Sequence, residues 1–362
     1  MTNLASMTLN ELEELMKKWG QPRFRAKQIF EWIHRGTAPR DMNNLPKALR
    51  GALEEMPFGG AQVYQKNVSQ KDGTIKYLFE LEDGHLVEGV LMQNRYGSTF
   101  CLSTQVGCAM GCAFCASAVK GCVRNLTAGE MLSQVCLAQK DDPAFANEKR
   151  RITNIVLMGS GEPLNNYEEV KRFLYNIIAP EGLNFSPRNI SLSTCGLVPQ
   201  IRRLARECPH VTLCISLHAA NDEVRNRLMP INRRYPVADV INAAKEYADT
   251  TGRRVVFEYA LIRGVNDSQS DAAALATLLR GIICHINLIP LNPVKERDFQ
   301  GTPRDAAYRF AGWLNERKVS ATVRREMGAD IEGACGQLRS KALEELGGRT
   351  RNALDANNDS IE

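Results

Sequence analysis

The sequence predicts an α/β protein, six βα units in a parallel sheet, open or curved, preceded by a small helical module. Three observations carry this expectation. From about residue 98, short apolar runs alternate with amphipathic stretches of helical length, six times over. Before that point, helical periodicity gives way to one hairpin-like pattern. The loops rich in cysteine and glycine follow the ends of the first two apolar runs, and βα folds build their sites at strand C-termini. Six strands fall short of the eight that close a barrel.

The elements follow in order. Leu9, Leu12, Leu15 and Met16 share a helical face, and Thr8 with Glu11 reads as a capping box. Phe24 to His34 repeats the pattern, and the helical module ends near Met56-Pro57. Its Arg23, Arg25, Lys27 and Arg35 are candidate phosphate contacts or a solvated face. The runs beginning at Thr74 and at His85 flank Glu82-Asp83-Gly84, a hairpin pattern. Barrel strands are expected over Thr99–Ser103, Ile152–Met158, Asn189–Ser193, Val211–Leu217, Val255–Ile262 and His285–Ile289. Helices are expected over Tyr167–Ile178, Pro199–Glu207, Val237–Ala248 and Ser270–Leu279, and a last short strand over Ser320–Arg324. The chain thus divides into a helical domain over 1–60, a β-hairpin extension over 61–95, the barrel over 96–326, a C-terminal loop over 327–346 and a frayed tail over 347–362.

Composition is that of a globular chain, 44% apolar and 24% charged, with a formal net charge of +5. A mildly basic balance permits a nucleic-acid partner without demanding one. The N-terminus lacks a signal-peptide pattern, and no run of apolar residues is long enough to span a membrane. A cytoplasmic protein with free thiols is therefore expected, so its 11 cysteines point to metal binding or catalysis rather than disulfides.

Cys108, Cys112 and Cys115 form C-x3-C-x2-C in the loop after the first barrel strand. Short gaps let three thiolates wrap one face of an iron–sulfur cube and leave one iron open for a small molecule. Zinc would need a fourth ligand. Cys101 or Cys122 could complete a four-cysteine electron-transfer site, and chance clustering is the plainest reading. The loop Met158-Gly-Ser-Gly161-Glu162-Pro163-Leu164 ends the next strand, where glycines let backbone approach a ligand and a carboxylate can accept from an amine.

With Phe114 before the last cysteine, this spacing resembles the radical SAM (S-adenosylmethionine) signature. Further marks are Arg25-Ala-Lys-Gln-Ile, Val87-Glu88, Cys101-Leu-Ser-Thr-Gln-Val-Gly-Cys108, Gly161-Glu-Pro-Leu, Ser216-Leu-His218, Leu228-Met-Pro-Ile-Asn232, Gly264-Val-Asn-Asp267, Pro290-Leu-Asn292-Pro and Ala334-Cys335-Gly-Gln. Together, from about Leu12 to Leu338, they resemble the RlmN family, radical SAM methyltransferases that modify C2 of an adenosine in 23S rRNA and, in many members, an adenosine in the tRNA anticodon loop. The chain departs from the family at Ser160, where Met is commoner, and at Ala116-Ser117, where a small residue followed by Thr is often seen.

The resemblance implies a partial (βα)6 TIM-like radical SAM barrel with a small helical RNA-binding accessory domain at the N-terminus, a [4Fe-4S] cluster on Cys108, Cys112 and Cys115, and two SAM molecules per turnover. It assigns SAM contacts to Gly161, Glu162, Ser193, Ser216, Leu217, His218 and Asn292. Cys335 would accept a methyl group as thiolate, carry it to the base, and be released by attack of Cys101 on its sulfur, leaving a disulfide for cellular thiols to reduce. Glu88 would remove the proton. Without the family, Cys335 and Cys101 read as buried thiols, Glu88 as a solvated strand residue and His218 as a satisfied core histidine. Implied partners are 23S rRNA, tRNA and an electron donor such as flavodoxin or ferredoxin, with a monomeric chain. Cys122, Cys136, Cys195, Cys208, Cys214 and Cys284 read as structural thiols. Arg225, Arg227, Arg233 and Arg234, with Lys295, Arg297 and Arg304, read as candidate phosphate contacts. Three alternatives stay open here: a Cfr-like C8 methyltransferase, a radical SAM activase or maturase, and a non-enzymatic iron–sulfur electron carrier.

Overall fold

The computed structural model describes residues 3–94, 97–141, 152–292, 294, 297–331, 338–339 and 341–342. Three helices open the chain: α1 (Leu9–Lys18), α2 (Phe24–His34) and α3 (Lys47–Glu54). The expected capping box starts α1, with Thr8 Oγ1 accepting from Glu11 N–H and the Glu11 carboxylate accepting from Thr8 N–H at 2.8 Å. These helices do not have a core of their own. Leu12, Met16, Ile29, Phe30 and Leu53 belong to the same continuous apolar cluster as the barrel strands. Each such side chain, fully removed from water, contributes roughly 1.5–3 kcal/mol. Ser6 Oγ accepts from Gly129 N–H at 2.8 Å, fastening the N-terminus to α4 (Ala128–Asp141).

Among the described residues twelve strands follow: β1 (Ala61–Val68), β2 (Ile75–Leu81), β3 (Leu86–Asn94), β4 (Gly97–Leu102), β5 (Gln105–Gly107), β6 (Cys122–Asn125), β7 (Ile152–Leu157), β8 (Ile190–Thr194), β9 (Thr212–Ser216), β10 (Val255–Leu261), β11 (Cys284–Pro290) and β12 (Ala321–Val323). Ten form one sheet in the order β1-β2-β3-β4-β7-β8-β9-β10-β11-β12, and β5 and β6 make a separate ribbon. Pairing is antiparallel from β1 to β4 and parallel from β4 to β12. All six expected barrel strands and the last short strand form, within two residues of their expected ends. The expected hairpin is β2–β3. It gains β1, which periodicity alone did not reveal, and it is hydrogen-bonded into the barrel sheet through β4.

The parallel strands are laid down in chain order, each beside the last. This is the single winding of a barrel and not the reversing order of a doubly wound sheet. Further helices lie between and after the strands: α5 (Tyr167–Ile178), α6 (Val198–Glu207), α7 (Asp222–Leu228), α8 (Val237–Thr251), α9 (Gln269–Leu278) and α10 (Arg304–Glu316).

Strand periodicity gives the sheet two faces. Phe100, Leu102, Ile155, Leu157, Leu192, Leu213, Ile215 and Phe257 are buried in the apolar core. Their neighbours alternate to the opposite face, where the register aligns Lys76 with Val90, Val90 with Cys101, Cys101 with Val156, Ser193 with Cys214, and Ser216 with Glu258. That second face is polar, and it bears the chemistry.

Candidate active site

The cysteine loop is pinned at both sides. Gly107 has φ +82°, and a Cβ there would overlap the carbonyl oxygen of Gly121. Cys108 N–H donates to that same oxygen at 2.9 Å, closing the β5–β6 ribbon under the loop. Farther on, Ala113 N–H donates to Leu228 O at 2.9 Å, so the motif beginning at Leu228 braces the loop from outside. Burial pushes the Cys108 thiol up to about 12, and the neighbouring Cys115 and Glu162 add to the shift. Burial likewise raises Cys112, with Cys115 and Cys108 next in effect. Burial outweighs the nearby charge of Arg225 at Cys112, so positive charge within the loop is too little to ionise Cys108 and Cys112. A cluster of cationic iron supplies that charge, so the donor set fits thiolate ligation.

The glycine loop lies against this ribbon. Thr104 and Gln105 N–H both donate to Ser160 O, at 2.9 and 3.1 Å, and Glu162 N–H donates to Gln105 Oε1 at 2.8 Å. Gly161 has φ +114°, and a Cβ would sit 2.7 Å from Gln105 Cβ. Gly161→Ala is therefore expected to cost at least about 2 kcal/mol and to part the two loops. A lower urea midpoint together with weakened SAM binding by calorimetry checks this. The Glu162 carboxylate accepts from Leu164 N–H at 3.0 Å and from Cys195 N–H at 2.7 Å. It spends one lone pair of each oxygen on backbone, which ties the glycine loop to the end of β8. The two departures from the family pattern touch each other: Ser117 Oγ and Ser160 Oγ are 3.0 Å apart and both buried.

Ser193 and Ser216 come together on the polar face, their hydroxyls 3.4 Å apart, and Ser193 Oγ donates to Glu258 Oε2 at 3.1 Å. Glu258 was missed by sequence reasoning, although a lone carboxylate within the apolar run Val255–Leu261 was the available signal. His218 follows with φ +57°. Its Nδ1 accepts from Ala260 N–H at 2.9 Å, so the neutral ring carries its proton on Nε2. Burial, with the charge of Arg225 next, holds His218 at about 3, and the Phe114 ring meets it edge-on with centroids 4.9 Å apart. Between Ser216 and His218, Leu217 is fully buried, and its N–H donates to Glu258 O at 3.0 Å. Asn292 lies exposed beyond the end of β11.

Arg225 is corrected. It is completely buried and touches no solvent. Its Nε donates to Leu217 O at 3.0 Å, Nη1 to Asn232 Oδ1 at 2.8 Å, and Nη2 to Cys195 O at 2.6 Å. One guanidinium thus ties together the ends of β8 and β9 and the turn at Pro230. The same logic explains Asn266, whose amide donates to His218 O and Ala260 O, each at 2.7 Å. Arg227, Arg233 and Arg234 do remain exposed, as does Arg304. Lys295 lies outside the described residues.

At the other end of the polar face stand Glu88 on β3 and Cys101 on β4, both buried. Val90 is opposite Cys101, and Glu88 is two residues from Val90, so Glu88 and Cys101 are diagonal neighbours on one face. The Glu88 carboxylate lies 3.5 Å from Lys76 Nζ, and both side chains are buried. Cys335 lies outside the described residues. Among the described residues no helix is long and apolar enough to cross a membrane.

Comparison with known proteins bears on this geometry. Residues 102–276 match the model of the radical SAM superfamily, and residues 2–58 match that of the ribosomal RNA large subunit methyltransferase N-terminal domain. A probable dual-specificity RNA methyltransferase RlmN of Alkaliphilus metalliredigens is 49% identical over 345 residues, which is 95% of this chain and 96% of that protein. Its namesake from Clostridium perfringens is 49% identical over 350 residues, 96% of this chain and 99% of the relative. A crystal structure of a radical SAM methyltransferase from Sphaerobacter thermophilus superposes with a TM-score of 0.88 at 48% identity, over 93% of this chain and 99% of that one.

Proposed function

Since the chain belongs to the RlmN family of radical SAM methyltransferases, we propose that it methylates C2 of an adenosine in 23S rRNA and an adenosine in the tRNA anticodon loop. The observation that carries this reading is the single polar face. It gathers Ser193, Ser216 and Glu258 near the cysteine and glycine loops, and sets Glu88 and Cys101 on the same side of the sheet. A general radical SAM enzyme needs the first group alone. A buried carboxylate and a buried thiol on the same face suit a reaction that must also remove a proton and resolve a covalent adduct.

In this reading Cys108, Cys112 and Cys115 hold the [4Fe-4S] cluster, while Gly161, Glu162, Ser193, Ser216, Leu217, His218 and Asn292 surround SAM. Together, cluster and SAM supply the one-electron chemistry that an electron-poor adenine carbon requires. Neutral His218 offers its Nε2–H as a donor and adds no charge beside the cluster. Cys335 attacks a SAM methyl as thiolate, forms the carbon–sulfur bond and releases S-adenosylhomocysteine. Glu88, beside Lys76, takes the proton from the base. Before that proton leaves, the S-methyl carbon of Cys335 would have given up one hydrogen atom to the one-electron chemistry and bonded to C2, and the adduct would have returned one electron to the cluster. Cys101 then attacks the Cys335 sulfur as thiolate: a sulfur–sulfur bond forms, the carbon–sulfur bond breaks with its electron pair left on carbon, and that carbon takes up a proton as the methyl group of the departing base. Cellular thiols reduce the disulfide. The target adenosine leaves its stack to enter, and the exposed Arg227, Arg233 and Arg234 receive phosphates around it. The chain acts as a cytoplasmic monomer supplied with electrons by a flavodoxin or ferredoxin.

The test is anaerobic reconstitution with labelled SAM, a reductant, and either unmodified 23S rRNA fragments or tRNA, followed by nucleoside analysis. Labelled 2-methyladenosine is expected from both RNAs. An 8-methyl product would identify the Cfr-like alternative. Labelled rRNA with unlabelled tRNA would remove the second substrate.

A further inference from the structure

The segment that carries Cys335 is gripped at its described ends by the antiparallel part of the sheet. On the near side, Gly328 N–H donates to Asp72 Oδ2 at 2.9 Å. Ser69 Oγ donates to Asp330 Oδ1 at 2.6 Å, and Gln70 N–H donates to Asp330 Oδ2 at 3.0 Å. The other oxygen of Asp72 accepts from Thr74 N–H at 3.0 Å, so one carboxylate both closes the β1–β2 turn and grips the segment. On the far side, Arg339 N–H donates to Glu88 Oε1 at 2.7 Å. Leu338 and Ala342 are buried with Leu78 and Leu86 in an apolar cluster separate from the main core. The register sets Leu78 opposite Glu88, so this cluster lies on the polar face that bears Glu88 and Cys101.

We propose that the β1–β2 turn is a positioning device for the methyl-carrying segment, with Asp72 and Asp330 as its positioning residues. The proposal rests on the function given above. A carrier thiol must meet the methyl donor, the base and Cys101 in succession. A chain fixed at both ends samples a small volume, which raises the effective concentration of each encounter. Releasing the near anchor removes the constraint on residues 328–331 and lowers that effective concentration. Burial works against ionising Asp72, but the N–H donors of Gly328 and Thr74 and the Ser69 hydroxyl outweigh it and hold the carboxyl at about 2. The grip is therefore ionised at any pH where RNA is handled. The arrangement also gives the antiparallel strands a task that the barrel does not need them for.

The experiment uses the full reconstituted chain and two variants, Asp72→Ala on the turn and Asp330→Ala on the segment. The second leaves the hairpin's own bonds intact. Amide exchange at residues 328–331 is expected to speed up about tenfold or more in both. Methylation of Cys335, followed by mass spectrometry, should fall about tenfold, with iron content and SAM affinity unchanged. SAM cleavage continues, so 5′-deoxyadenosine per methylated adenosine rises. A merely structural defect would lower both together. Unchanged exchange in either variant overturns the proposal, and so does faster exchange with Cys335 methylated within about twofold of the parent rate. A parent chain whose Cys335 is methylated but whose RNA is not would instead defeat the proposed function and leave the anchoring intact.

Discussion

Cys112→Ala is expected to yield a folded chain with no bound cluster, no SAM cleavage and no methylated RNA. Cys112 contributes one of three thiolates, and an iron left with no protein ligand from that position is not retained. The fold should survive. Cys112 only packs against the edge of the main core, and its loop is held by backbone bonds of Cys108 and Ala113 that the substitution keeps. The loss of stability is therefore about 1 kcal/mol. Iron and sulfide per chain, the visible absorbance of the reconstituted protein, and the thermal midpoint are the measurements. Cys208→Ala serves as comparison: this cysteine is a buried part of the core, outside the proposed ligand set, and its variant should keep cluster and activity at some cost in midpoint. A Cys112→Ala chain that binds four irons and cleaves SAM would overturn the ligand assignment.

Arg225→Leu should have the largest effect on stability of any single change away from the cysteines. Leucine roughly replaces the buried volume of the stem and strips the donors from Leu217 O, Cys195 O and Asn232 Oδ1. Each stranded acceptor costs about 1–3 kcal/mol, and relaxation of the loops recovers part of it. The expected loss is about 3–5 kcal/mol, as for breaking a buried charged network. Arg225→Lys keeps the charge without the planar fork and should recover little. The substitution also removes the cation that lies near Cys112 and His218. Urea denaturation gives the stability change. A loss below about 1 kcal/mol would mean that the network is solvated and that Arg225 is not the brace described here.

Much of this fold was legible because strands and helices here carry clean periods. The six barrel strands fell on short apolar runs that alternate with stretches of helical period, the first two of them followed by cysteine- and glycine-rich loops. The capping box of Thr8 and Glu11 marked the first helix to the residue. What sequence misjudged was the exposure of a charged side chain just beyond a strand end. Arg225 sits on the short helix α7 in a stretch crowded with arginines, where exposure is the default. Nothing local distinguishes it from Arg227, because the acceptors that bury it come from Cys195, Leu217 and Asn232, which are distant or ordinary in sequence. Asn232 and Asn266 show the same pattern: the family motifs around them mark buried hydrogen-bond hubs. Strand β1 was missed because five consecutive residues of it are exposed, which erases the alternation that reveals a strand.

The contact between Ser117 and Ser160 has a bearing on how this sequence can change with time. The two hydroxyls share one hydrogen bond in a place that water does not reach. Either serine, exchanged alone for an apolar residue, leaves its partner with an unpaired hydroxyl between the cysteine and glycine loops, at about 1–3 kcal/mol. Exchanged together they remove donor and acceptor at once. The two positions are thus epistatic. A double-mutant cycle on the two positions is expected to show coupling, although the residues lie far apart along the chain.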